Sequence, residues 1–430
     1  MNPTAKEVGD LRGVGFDITD IRMRKIRRRF DATKIEDIPG TVRSELSAGG
    51  IVFAPGEKIA IGCGSRGIAN LPEIVATLVE EIRRAGADPF IIPVMGSHGG
   101  GTADGQERVL ADYGITEAAV GAPVRSSMAT VELPADGLPH GLFMDRLAFE
   151  SDGVVLVNRV KPHTDFHAAI ESGIMKMSII GLGKHDQAKA MHSFGVRGLK
   201  ELLVPAARKI LETGKIRAGI ALVENAYDET MVIRALRPEI IEAEEMKLLD
   251  VARAAMPRLP LDSIDVLVID RMGKDLSGVG MDPNIIGRMR IAGQDEPDSP
   301  WITRIVCTDL TPASHGNALG VGLADLITER LYRKIDFPAM NANLFTSTFL
   351  ERGKIPPVLP DARQAVAYAL RTCAKPDPRT ATIVRVRDTL HIGELWVSEN
   401  ALDEIQKRDD VELLDQVEPL IGAEGELSPF

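Results

Sequence analysis

Residues 58–95 hold the pattern that most limits the fold. KIAIGC at 58–63 is a short apolar run ending in a glycine-rich turn, which reads as a buried strand. In residues 71–85, Leu71, Ile74, Val75, Leu78, Val79 and Ile82 recur at helical spacing. Asn70 stands where a cap belongs, and Pro72 sits in the first turn, where its missing N–H is tolerated. Gly86 ends the helix, and PFIIPVM at 89–95 is the next strand. Strand, helix, strand in this order predicts a parallel pair joined by a right-handed crossover. Cys63 and Met95 then end on the same sheet edge, where open α/β sheets bind ligands.

The pattern continues down the chain. Strands are predicted at 153–158, 220–223, 264–269 and 381–386. Helices are predicted at 199–211, 239–254 and 319–331, with Pro205 kinking or restarting the first of these. A length of 430 residues exceeds one ordinary domain. The two prolines of AMPRLPLD at 255–262 mark a hinge. The predicted fold is two α/β domains with largely parallel sheets and a cleft between them. Residues 1–258 form the first domain, 259–400 the second, and 401–430 a helical tail that frays. Arg22 to Arg29 is a local basic stretch, read as a solvated element.

The net charge of -11 argues against a nucleic-acid partner, because no basic run offsets it. Three widely spaced cysteines suit a reducing compartment better than a disulfide framework. The opening MNPTAKEVGD lacks the apolar core of a secretory leader, and no apolar run is long enough to span a bilayer. A cytoplasmic protein with no membrane partner is expected.

Chemistry-bearing residues gather after predicted strands. Gly62 to Gly67 holds Arg66, Gly96 to Thr102 holds His98, and Lys161 to His167 holds two histidines. Any one such loop is more often a tight turn than a site. Three of them on one sheet edge point to function. Neither the Walker loop nor the dinucleotide fingerprint fits their spacing. His163, His167 and Glu171 are spaced by four, so a helix there would put them on one face able to hold zinc. Lys176 lies in an apolar run between Met175 and Met177. It is either a desolvated, nucleophilic amine or a lysine whose head reaches water.

Ser172-Gly173-x-x-Lys176, with His192 sixteen residues after the lysine, resembles the nickel-pincer lactate racemase family. The resemblance implies that Lys176 carries the nickel-pincer nucleotide (pyridinium-3-thioamide-5-thiocarboxylic acid mononucleotide) covalently. It implies that His192 is the protein ligand to nickel, beside a pincer that fills three positions of a square-planar site. Arg66, Ser172 and Gly173 would lie against the cofactor. The Gly96-Ser97-His98 turn and Pro162-His163 resemble the segments that supply two catalytic histidines. Arg66, Lys274, Arg288 and Arg290 are the implied substrate contacts. His163 lies three residues further from Lys176 than its counterpart in the family, which leaves His167 as an alternative second base, and three further positions depart from that family. Its acid near the first strand end is Cys63 here, its glutamine falls on Gly287, and its lysine falls on Arg290.

The implied activity is racemisation or epimerisation of a 2-hydroxyacid other than lactate, by proton-coupled hydride transfer to the tethered cofactor. The implied partners are a small hydroxy-acid substrate and the proteins that make the cofactor; a homo-oligomer is left open. Two other readings stand beside it. One is a zinc hydrolase or lyase built on His163, His167 and Glu171. The other is a non-catalytic ligand-binding homologue.

Overall fold

The computed structural model describes residues 17–64, 67–422 and 424–430. The chain forms two compact units, Asp31–Met256 and residues 17–30 together with Pro257–Phe430. Both are α/β with largely parallel sheets. Among the described residues, no helix is long and apolar enough to cross a membrane.

The Asp31–Met256 unit is built on a five-stranded sheet. Its order is Asp88–Pro93, Lys58–Cys63, Gly153–Arg159, Ile216–Glu224 and Thr230–Leu236. The first four strands are parallel and the last is antiparallel. The apolar runs follow from burial on both faces. Ile59, Ile61, Cys63, Val155 and Val157 pack beneath the helices Ile38–Ala48 and Leu71–Arg84. Ala60, Val154 and Leu156 pack on the opposite face with Ile174, Met175, Met177 and Ile179. Ile74, Val75, Leu78 and Ile82 of the second helix are fully buried. Each contributes roughly 1.5–3 kcal/mol relative to exposure. Asn70 does not cap this helix through its side chain. It adopts a left-handed conformation, and its amide oxygen accepts from the Thr230 hydroxyl at 3.0 Å.

The other unit carries an eight-stranded sheet. Its order is Val358–Leu359, Leu326–Thr328, Trp301–Cys307, Ser263–Ile269, Ile383–Val386, Glu394–Ser398, Arg22–Arg28 and Val411–Pro419. The first five strands are parallel and the last three antiparallel. The helix Ala362–Thr372 covers one face through Ala365, Val366, Ala369 and Leu370.

Three sequence expectations change here. The basic stretch is not a solvated element of the first domain. It is an inner strand of the second unit, with Met23 and Ile26 in the core. Its charges are met from both neighbouring sides: Arg27 by Glu394 and Glu412, and buried Arg28 by Asp410 at 2.5 Å and the Arg258 carbonyl at 2.7 Å. The tail is not a frayed helix. After the short helix Leu402–Ile405 it becomes the strand Val411–Pro419, which pairs with the basic strand. Residues 319–331 do not form one helix. Gly320 takes φ +99°, and a Cβ on Gly322 would meet the Glu351 carbonyl at 2.2 Å. The chain instead makes a turn at Val321–Leu323, the strand Leu326–Thr328 and the helix Glu329–Tyr332.

Candidate active site

Lys176 ends a single helical turn, Gly173–Lys176, that lies against the Asp31–Met256 sheet. The chain continues through a wide turn at Met177–Gly181 into the helix Lys184–His192. Three groups anchor the start of the Lys176 turn. Buried Glu245 accepts from the Ile174 and Met175 backbone N–H groups, answering donors that a helix start leaves unpaired. Asn158, at a strand end, donates to the Gly173 carbonyl at 3.1 Å. The Ser172 hydroxyl accepts from the Lys161 N–H at 2.7 Å and donates to the Lys161 carbonyl at 2.6 Å. Gly173 has to be glycine: its φ is +83°, and a Cβ would lie 2.1 Å from the Glu245 carboxylate.

Burial pushes the Glu245 carboxyl up to about 8, against the two N–H bonds that lower it. The folded protein therefore keeps this proton up to about pH 8, while the unfolded chain releases it near 4.5. Stability contributed by the neutral form is present below that lower value and is lost as pH rises through the higher one. Urea melts from pH 5 to 8.5 are expected to show this decline. In Glu245→Gln the declining limb should flatten, because the amide cannot ionise.

The segment 161–172 is not helical, so His163, His167 and Glu171 do not share a face. Glu171 is fully buried and already committed. It accepts from the His163 N–H at 2.7 Å, the Ala168 N–H at 3.0 Å and Arg253 at 2.6 Å, with His167 Nδ1 at 3.3 Å. Burial pushes its pKa up, but the bonds from His167, His163, Arg253 and Ala168 outweigh this and hold it below the usual value. Among the described residues, no three His, Cys, Asp or Glu side chains group to hold a metal ion. The zinc site predicted from the spacing of four does not form. Exposed His167 turns to Glu171, whereas half-buried His163 turns to the lysine, with its Nε2 2.5 Å from Lys176 Nζ.

His98 is exposed on the turn after Asp88–Pro93. Gly99, Gly100 and Gly101 all have φ between +64° and +69°, a run that only glycines adopt without strain. Buried Gln106 donates to the Gly96 carbonyl at 2.8 Å and the His98 carbonyl at 3.3 Å. Its own oxygen accepts from Lys184 at 3.1 Å. Lys184 is fully buried, paired with equally buried Asp145 at 3.0 Å, and also donates to the Pro93 carbonyl at 2.5 Å. This network fixes the histidine turn to the segment after Lys176, where the Gly96 N–H donates to the Gly181 carbonyl at 3.2 Å. The sequence reading passed over Gln106, Lys184, Asp145 and Glu245. No local pattern marks them: the left-handed backbone of Lys184, φ +54°, is visible only in the structure.

His192 is half-buried at the end of the helix that follows Lys176. Burial pushes its pKa below the ordinary histidine value. Lys176 acts in the same direction whenever it is protonated, and Asp165 opposes it. Cys63 is fully buried in the helix-covered face, its thiol pushed up to about 12 by burial alone. Arg66 lies outside the described residues.

In the other unit, the predicted substrate contacts have differing surroundings. Arg288 is buried, donating to Asp325 at 2.8 Å and to the Leu323 and Ile302 carbonyls. Those bonds make it an internal strut rather than the substrate contact the resemblance implied. Arg290 is half-exposed and meets Asp325 at 3.1 Å. Lys274 donates to Asn343 at 2.7 Å and to the Gly278 carbonyl. Gly287 has φ +60°, and a Cβ there would lie 1.9 Å from the Pro300 carbonyl, so no glutamine fits this backbone.

A family model described as "Domain of unknown function (DUF362)" matches residues 62–295, more than half of the chain. The chain belongs to the DUF362 family. Among solved structures, this DUF362 protein is similar to the lactate racemase apoprotein from Thermoanaerobacterium thermosaccharolyticum. The TM-score is 0.53 at 14% sequence identity, over 85% of this chain and 98% of that one. At this identity the likeness is one of fold. A search of curated proteins finds no match. The matched family segment includes Lys176, His163, His98 and His192.

Proposed function

We propose that this protein is an isomerase that inverts the carbinol centre of a 2-hydroxyacid, using a nickel-pincer nucleotide carried by Lys176. The observation that carries this reading is the meeting of Lys176 Nζ and His163 Nε2 at 2.5 Å, on a turn that leads into His192. The donor set suits the group. The tether needs an amine, and Lys176 is held rigidly. The metal needs one neutral imidazole, and burial keeps His192 towards that form. A pincer that fills the remaining positions makes a three-residue protein cage unnecessary. When bound, the cofactor would supply hydride acceptance and return at the carbinol carbon.

The chain's own part is proton transfer and orientation. Inverting a centre calls for bases on two sides, and His98 and His163 come from separate strand-end loops. Each would take the hydroxyl proton in one direction and return it in the other, as suits a side chain that titrates near neutrality. His163 is a better second base than His167 because its Nε2 faces the tether; it takes that role after the cofactor is attached, when its proton moves to the Nδ1 side beside the Asp165 carboxylate. A substrate carboxylate calls for a guanidinium or ammonium. Of the implied carboxylate contacts, Arg288 is set aside because its donors are spent internally. Glycine in place of the family glutamine supports a substrate other than lactate.

The test is to produce the protein together with the cofactor-making proteins and incubate it with single enantiomers of 2-hydroxyacids, sugar acids included. Loss of optical purity with one nickel per chain is expected. Full nickel loading with no change in any member of the panel would refute the activity.

A further inference from the structure

The backbone N–H of Asp165 donates to His163 Nδ1 at 3.0 Å. A backbone N–H can only donate, so Nδ1 carries a lone pair there, and the proton of a neutral imidazole sits on Nε2. That nitrogen faces Lys176 Nζ at 2.5 Å. An ammonium has donors only, so an Nε2–H opposite it would leave two donors in collision. The contact closes as a hydrogen bond when Nζ accepts, which requires the unprotonated amine.

The ring is not at liberty to turn away. The His163 N–H is fixed to Glu171 at 2.7 Å, and Glu171 is fixed in turn by Arg253. The imidazole packs on buried Phe166, with ring centroids 4.6 Å apart. The Asp165 carboxylate stands 3.7 Å from Nδ1, too far for a hydrogen bond that would draw the proton to that side.

We propose that His163 acts on Lys176 before any substrate arrives, keeping the amine unprotonated through its Nε2–H until an activated acyl or thioacyl group enters, the hydrogen bond is released and the freed lone pair attacks. This rests on the reading of Lys176 as the tether only for the identity of the natural electrophile. The histidine is here an activating residue for the lysine, a role separate from base catalysis on substrate.

The test uses the full chain without cofactor and trace acetic anhydride at pH 7. In the reaction the Nζ–acyl bond forms, the anhydride C–O bond breaks, acetate leaves, and the nitrogen proton passes to water. Peptide mass spectrometry compares Lys176 with exposed Lys247 as an internal standard. Lys176 is expected to acetylate at least ten-fold faster than Lys247. His163→Ala should remove that advantage. His163→Gln, whose amide N–H can replace the Nε2 donor, should restore most of it. Rescue by glutamine separates activation from a merely structural role. Acetylation of Lys176 no faster than Lys247 would overturn the proposal, as would equal labelling in wild type and His163→Ala. Slow labelling in a chain that nevertheless carries the cofactor would sink this inference alone. Fast labelling in a chain that never acquires the cofactor would sink only the tether.

Discussion

Lys176→Ala is expected to abolish covalent cofactor attachment completely. Intact-mass spectrometry of wild type, matured with the cofactor-making proteins, should show one adduct per chain, and the variant should show the bare polypeptide mass. The turn that bears Lys176 is held by Glu245, Asn158 and Ser172, so removing the amine leaves its frame in place. His192→Ala makes the complementary case. It should keep the adduct mass and lose nickel, because the tether remains while the imidazole ligand is gone. A wild-type chain of unmodified mass, under conditions that load a known racemase, would remove the basis of the proposed function.

Asp145→Ala should cost about 3–5 kcal/mol of stability, the range for leaving one charge of a buried pair without its partner. Lys184 and Asp145 are both fully buried at 3.0 Å. Burial pushes the Lys184 pKa down, and Asp145 opposes that shift. Asp145 also accepts from the Ala148 N–H at 3.1 Å, so alanine removes a helix cap as well. Asp145→Asn keeps the cap and isolates the charge. Combining Asp145→Asn with Lys184→Met should recover much of the loss, since replacing both charges is far milder than orphaning one. Urea unfolding of wild type, Asp145→Asn, Lys184→Met and the double variant closes the cycle. A loss below about 1 kcal/mol in Asp145→Ala would mean that water already reaches the pair. The same substitution should loosen the His98 turn, because Lys184 is bonded to Gln106 and Gln106 to the Gly96 and His98 carbonyls.

The sequence showed most clearly what local pattern encodes. Residues 58–63 and 71–84 were legible because a strand buried on both faces and a helix buried on one have distinct periods. The histidine and lysine loops were legible because glycine and polar residues cluster after such strands. Residues 319–331 were misread because leucine spacing mimicked a helix, while Gly320 needed a left-handed backbone that the spacing did not reveal. The supposed zinc trio failed for the same reason: four-residue spacing means one face only if the segment is helical. What pattern reading missed comes from partners far along the chain. Glu245 looks like one more acid on the helix Ile241–Ala255, until its carboxylate is found under a turn some 70 residues earlier. Arg288 and Arg290 look equivalent in sequence, and only burial separates them.

The strand Arg22–Arg28 sits between Glu394–Ser398 and Val411–Pro419, with Arg24 donating to the carbonyl of Leu414, 390 residues away. During synthesis the Asp31–Met256 unit has all of its strands as soon as it has left the ribosome. The other unit has one strand made before the Asp31–Met256 unit and the rest made after it. Its sheet closes only after Glu394–Ser398 and Val411–Pro419 have been made, so the basic strand must wait, unpaired, while the whole Asp31–Met256 unit is synthesised. Its density of arginines is the kind of sequence that resists edge-to-edge association during such a wait.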